Sequence, residues 1–329
     1  FHGNMVSAFI NSGSRSYPVT VDGFLAGPNG TSAPSAAGLA YAIDMSWSKP
    51  YDIIGVAGFG LGSFGPSTAA PVAPTAVATG TYIAVADTFY DGSSNNGTGW
   101  DLIIDGSTNV ATEIGNSVNS FSGSNSQPQC TSSCTFNAGT ATQLESGDMA
   151  SIGASWVRWS TGHEFTHNFD DPNIGHAHLI KLVAPASPLP TSGVGTYTVF
   201  GGGTTPTLSS GPGEANTVTA TGPSTHTITV NFGYGAMTAT HEIPFPTTTV
   251  SVFGSVQSGP VSMQNSIHFS GDLIGGPNAC TSCVFGHDHF TFAGSNAEYV
   301  VGSGQFNTSG VAPNELSGGF TFILGDSAR

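Results

Sequence analysis

The chain has 329 residues, of which 46 are glycine and 20 proline; only 8% are charged, and the net charge of −15 reflects five Lys and Arg against twenty Asp and Glu. Neutralising a phosphate backbone takes clustered Lys and Arg, so this composition argues against nucleic acid or an anionic membrane surface as partner. No run of about 18 apolar residues occurs, so no membrane-spanning helix is expected.

Scarcity of Lys, Glu, Gln and Leu leaves little material for exposed helix faces, whereas Val, Ile, Thr, Phe and Tyr suit half-buried pleated surfaces. The expected fold class is all-β, built of antiparallel up-and-down barrel or curled meander modules with few or no helices. Residues 1–59 read as a partial β module, with strands in MVSAFI, YPVTVDGFLAG, AGLAYAI and DIIGVAGF. The opening Phe1-His2-Gly3-Asn4 carries no basic-then-apolar export signal, so the chain is read as a mature or trimmed product. Residues 60–79 are Gly, Pro and Ala rich, the composition of a linker. A β-rich middle region, 80–188, holds TYIAVADTFY, WDLIID, CTFNAGTATQLES and SIGASWVRWS, then a His- and Asp-rich patch. From 189 to 329, eight strand-like runs at short spacing suggest a barrel.

One phrase recurs across these regions. VDGFLAGPNG (Val21 to Gly30), GDLIGGPNA (Gly271 to Ala279) and the looser SGQFNTSGVAPNELSGGF (Ser303 to Phe320) each join an alternating strand to a Gly-Pro-Asn type of turn. The four cysteines form two close pairs, Cys130/Cys134 and Cys280/Cys283. Disulfides paired within each motif fit this secreted-looking composition; a four-thiolate zinc site is the alternative.

Three constellations carry candidate chemistry. His163-Glu164-Phe165-Thr166-His167 is a literal H-E-x-x-H, which on a helix would chelate zinc through His163 and His167 with Glu164 as general base. Pro172 and its Asn/Asp neighbours deny the helix its continuation, so a loop or hairpin histidine cluster is the competing reading. His176-x-His178 and His287-x-His289 each put two imidazoles on one strand face, suiting either a divalent metal or satisfied histidines. Asp87, Asp91, Asn95, Asp101 and Asp105 string oxygen ligands along a Gly-rich stretch, readable as a structural calcium loop or as solvated turns. No cofactor is expected to be required, with structural calcium or another divalent metal as the alternative.

The order WVRW (Trp156 to Trp159), LPTSGVGTYTVFGGGTTPT (Leu189 to Thr207), ITVNFGYGAMTA (Ile228 to Ala239), CTSC and a closing GPN-type strand resembles the C-terminal β-barrel of bacterial surface proteins with a FecR-like segment. Those barrels in turn resemble the lipoprotein barrels of transferrin-binding proteins. The resemblance runs from Ser155 onward and again over Val19 to Phe59, as the last third of such a module. It implies an extracellular or outer-surface setting in a Gram-negative bacterium, with a cell-surface anchor as a candidate partner and no shared catalytic residues.

Aligning the two copies sets IIGVAGF (Ile53 to Phe59) after the first, with nothing equivalent after GGFTFIL (Gly318 to Leu324). The C-terminal barrel is therefore expected to lack its closing strand. The N-terminal run containing Met5, Val6, Ala8, Phe9 and Ile10 is the expected donor, from one copy to the next. Head-to-tail donation would make the protein a structural filament subunit with itself as partner. A fragment of a longer two-barrel protein is the plain alternative for the missing strand. For function, a monomeric surface-exposed barrel that binds a host or nutrient ligand is the second reading, and a zinc metallopeptidase the third.

Overall fold

A computed structural model describes residues 2–5, 19–26, 36–43, 53–60, 73–90, 95–124, 134–166, 175–211, 214–257, 260–309 and 315–327. The chain divides into two units, Phe1–Pro71 and Val72–Arg329. The division falls inside the Gly/Pro/Ala-rich stretch 60–79, although the end of that stretch already belongs to a sheet.

In the first unit, β1 (His2–Met5), β2 (Val19–Ala26), β3 (Ala36–Ile43) and β4 (Ile53–Gly60) form an antiparallel meander in chain order. The opening strand has a partner of its own, since Met5 stands opposite Val19. Val6, Ala8, Phe9 and Ile10 of the expected donor run lie outside the described residues.

The second unit opens with β5 (Thr75–Ala76), β6 (Tyr82–Tyr90), β7 (Asn95–Ile103), β8 (Val110–Ile114), β9 (Ser117–Gly123), β10 (Cys134–Asn137), β11 (Gln143–Met149), β12 (Ala154–Trp159), β13 (Glu164–Thr166) and β14 (Ala177–Leu182). These make two five-stranded sheets, an outer one ordered β13-β10-β9-β8-β5 and an inner one ordered β11-β12-β14-β6-β7. Trp100, Phe121, Phe136, Val157, Trp159 and Leu179 fill the layer between them. The other face of the inner sheet, with Tyr82, Ala84, Ile180 and Leu182, packs on Ala293, Val301 and Ile323 of the barrel. Burial on both faces explains why consecutive residues of β6 and β14 are buried instead of alternating, with polar Asp87, His178 and Lys181 among them. Trp156 and Trp159, of opposite strand parity, accordingly serve different layers.

The barrel follows: β15 (Val194–Val199), β16 (Thr207–Ser209), β17 (Thr217–Thr219), β18 (Thr225–Asn231), β19 (Ala236–Pro244), β20 (Thr249–Gln257), β21 (Asn265–Ile274), β22 (Cys280–Ala293), β23 (Tyr299–Thr308) and β24 (Ser317–Asp326). Among the described residues a 3-10 turn, Glu214–Asn216, interrupts the strands. β18 and β19 alternate buried and exposed residues, with Thr side chains outward and Ile228, Val230, Met237 and Ala239 inward. The Gly-Pro-Asn phrase makes the β21–β22 turn, where Gly275 and Gly276 take φ of +78° and +73° ahead of Pro277.

The expected open edge beside Gly318–Leu324 is not there. Eight antiparallel strands, β15 and β18 through β24, close on themselves through β15–β24, with Tyr197 opposite Asp326 and Val199 opposite Leu324. β16 takes the other end of the same edge, with Thr207 opposite Gly319 and Ser209 opposite Ser317. The closing strand thus precedes the other barrel strands in the chain instead of following them.

Candidate binding site at the barrel seam

Because β15 and β16 each cover only one end of β24, the wall between them is completed by the loop 200–206. Gly201, Gly202 and Gly203 carry φ of +135°, +88° and +93°, values open to glycine but strained for other residues. A Cβ on Gly203 would sit on the Thr321 carbonyl. The loop is stitched to β24 by Phe200 N donating to Ile323 O (3.3 Å), Thr204 N to Thr321 Oγ1 (2.8 Å) and Thr321 N to Thr204 Oγ1 (3.0 Å). From the inner sheet, Glu145 accepts from the Thr205 amide at 3.0 Å and is ion-paired with Arg158 at 3.0 Å.

This irregular closure leaves a pocket of about 240 Å3, lined among others by Glu145, Val199, Gly203, Ser224, His226 and Phe322. His226 is 7% exposed and stands directly across the β18–β19 hairpin from His241. Their Nδ1 atoms are 2.9 Å apart, and His241 Nε2 lies 2.8 Å from Asp288 Oδ2 on β22. His241 and Asp288 are wholly buried. Phe320 stacks on the His226 ring at 4.8 Å, and Phe269 meets His241 edge-on at 5.5 Å. Burial, and then the neighbouring His241, push His226 well below the ordinary histidine range.

With Asp288 ionised and both imidazoles neutral, hydrogen-bond chemistry sets the proton order of this chain. A carboxylate only accepts, so His241 Nε2 carries the hydrogen it gives Asp288. A neutral His241 then offers a lone pair at Nδ1, which accepts from His226 Nδ1–H. That leaves His226 Nε2 as a lone-pair acceptor for the pocket. Placing three ionisable groups in an apolar barrel interior costs desolvation free energy that hydrophobic side chains of similar volume would avoid. Such arrangements concentrate at functional sites.

The residues singled out in the sequence are placed elsewhere. Glu164–Thr166 is a strand paired with β10, so the helical display that an H-E-x-x-H zinc site needs is not formed; His167 lies outside the described residues. His163 is buried with Asp87, Nε2 to Oδ1 at 2.8 Å, and its Nδ1 donates to Ser160 O at 2.9 Å. Burial works to lower its pKa, yet the Asp87 charge and these hydrogen bonds raise it overall. Asp87 lies on β6 and Asp101 on β7, which pair with Tyr90 opposite Asn95, and residues 91–94 between them lie outside the described residues. Asp101 faces Tyr82 and His289 at the barrel contact, where burial, then the Asp101 charge, raise the Tyr82 hydroxyl well above its ordinary pKa. Asp105 caps a separate turn, accepting from the Asn109 (2.9 Å), Ser107 (2.8 Å) and Thr108 (2.8 Å) amides, which hold its carboxyl far below the usual range. Asp91 and the side chain of Asn95 are not described.

The histidine pairs are engaged singly. His176 joins Arg158 (3.1 Å) to Glu214 (2.6 Å), and His178 sits between the hydroxyls of Thr204 and Thr207, 2.7 Å from each. His287 Nδ1 accepts from Gln305 at 2.9 Å and its Nε2 reaches Gly99 O at 3.1 Å, while the His289 ring lies 4.8 Å from it. Among the described residues no group of three or more His, Cys, Asp or Glu is disposed to hold a metal ion. Cys280 and Cys283 form a disulfide. Cys134 is also disulfide-bonded, and Cys130 lies outside the described residues.

Sequence reasoning missed His226, His241 and Asp288, although the turn Asn231–Ala236 makes the two histidines equidistant from the hairpin centre and therefore opposite. No family model matches the chain, and no curated protein does. Similar solved structures include two of the vaccine antigen transferrin-binding protein B from Haemophilus parasuis, a double and a single mutant. Each is 11% identical and aligned over 94% of this chain and 54% of its own, with TM-scores of 0.34 and 0.37. The chain spans about half the length of those proteins.

Proposed function

We propose that the chain is a surface-displayed, non-enzymatic binding module of a Gram-negative bacterium, a closed barrel that takes a small polar group in its seam pocket. The observation that carries this reading is the pocket ending on the buried His226–His241–Asp288 chain, a concave site with a few fixed polar atoms among apolar neighbours. Closure through β15 removes the edge that strand donation between copies would use, which favours binding over polymerisation. The disulfide supports an oxidising, extracytoplasmic setting.

The test is an amide-resolved NMR screen of the whole chain with small polar compounds. Saturable shifts clustered at Phe200–Thr205, Ser224–His226 and Thr321–Phe322 are expected. Saturable binding confined to other surfaces, or none, overturns the reading.

A further inference from the structure

Resting on that reading, we infer that the group the seam pocket takes is an aliphatic ammonium, received by His226 Nε2 and Ser224 Oγ, and that Asp288 acts through His241 to keep Nε2 an acceptor. The Ser224 hydroxyl oxygen is buried at this pocket with no hydrogen-bond partner. His226 Nε2 as an acceptor, and the Ser224 hydroxyl, which can accept as well as donate, suit a ligand that brings N–H donors, since a buried polar atom left unpaired costs about 1–3 kcal/mol. No Lys or Arg lines the pocket, Arg158 beside it is paired with the lining Glu145, and the chain as a whole carries −15, a balance that favours a cation. Val199, Pro206, Phe322 and Leu324 supply apolar wall for an alkyl stem. A lysine side chain of a partner protein and a free alkylamine share this chemistry.

The same chain makes capture reversible by acid. A solvent proton that bonds to His226 Nε2 turns it from an acceptor into a donor facing the ammonium. The groups around His226 are His241 from β19, Asp288 from β22, and the Glu145–Arg158 pair from β11 and β12; its β24 neighbours, Phe320 and Phe322, carry no charge.

The experiment is a calorimetric and NMR titration of the whole chain with n-butylammonium, n-butanol and a lysine-containing tripeptide, at neutral and acidic pH, alongside Asp288→Asn and Ser224→Ala. Butylammonium is expected to bind about tenfold or more tightly than butanol, and to lose about tenfold in either variant. Binding is expected to weaken on acidification. Nitrogen-15 spectra of the imidazoles should show His226 Nε2 unprotonated at neutral pH in the wild type. The Ser224→Ala protein, whose change removes one hydroxyl, keeps the test open if Asp288→Asn fails to fold. Tighter binding of the tripeptide than of the free amine assigns the source to a protein partner, and the reverse order to a free amine. Equal affinity for butanol, indifference to Ser224→Ala, or a protonated Nε2 at neutral pH overturns the inference. If other polar compounds bind the seam and amines do not, the inference alone fails; if nothing binds there, the binding-module reading fails with it.

Discussion

Lowering the pH from 7 to 5 should destabilise this protein steeply, because its barrel contacts are built on histidines held neutral. Burial, then the neighbouring His289, take His287 down to about 3, and burial takes His178 and His226 well below the ordinary 6.5. In the unfolded chain all three regain a pKa near 6.5, so below that value the unfolded state binds more protons and stability falls as pH falls. For His287, with its folded pKa near 3, the loss on reaching pH 5 is about 2 kcal/mol, and His178 and His226 add to it in the same direction. His163 has the opposite sign. Its raised pKa gives stability that is complete below 6.5 and is lost as pH rises through the folded value, so on going from pH 7 to 5 it works against the acid loss of the other three. Urea unfolding followed by tryptophan fluorescence at pH 7, 6 and 5 measures the slope, and His287→Gln, which retains an amide facing Gly99 and Gln305, should flatten it by about 2 kcal/mol. A stability that is level or rising from pH 7 to 5 would refute the reasoning.

Gly203→Ala should cost about 1–3 kcal/mol, since the residue adopts φ of +93° and its Cβ would meet the Thr321 carbonyl; an unchanged urea midpoint would show that the seam loop is not held as described. Replacing Cys280 and Cys283 by serine closes off a bridge of sequence separation 3, for which loop entropy allows about 2 kcal/mol at most, and a larger loss in the same assay would contradict a merely local role. Casein should not be hydrolysed in a chelator-sensitive, Glu164-dependent manner, because Glu164 lies on a strand; such activity, abolished by Glu164→Gln, would overturn the placement of this motif.

What the sequence disclosed followed the range of each signal. The alternation in HTITVNFGYGAMTATHEI is local and marks it as strand, but it reads as one run where the structure turns at 231–236 and makes two, β18 and β19, with their Ile, Val and Met inward. Closure depends on residues 197–199 finding residues 324–326, a pairing across the whole barrel with no local mark. TYTVFGG was legible as a strand, but not as the neighbour of the last one. The H-E-x-x-H spacing has helical meaning only on a helix, and β10 recruits Glu164–Thr166 into a sheet instead. Parity did put His287 and His289 on one face of β22, yet the packing of β7 across that face gives them Gly99 and Asp101 as neighbours. The seam site was hidden for a related reason: Asp288 lies between those two histidines and points the other way, into the barrel, where only the folded register brings it to His241.

The closed barrel is the claim on which the binding account rests, and sedimentation velocity over a wide concentration range tests it most directly. A single discrete species at the 33.3 kDa chain mass, unchanged when residues 1–10 are deleted, is the expected result. Polymers that lengthen with concentration and vanish on that deletion would contradict it, and would restore strand donation between copies.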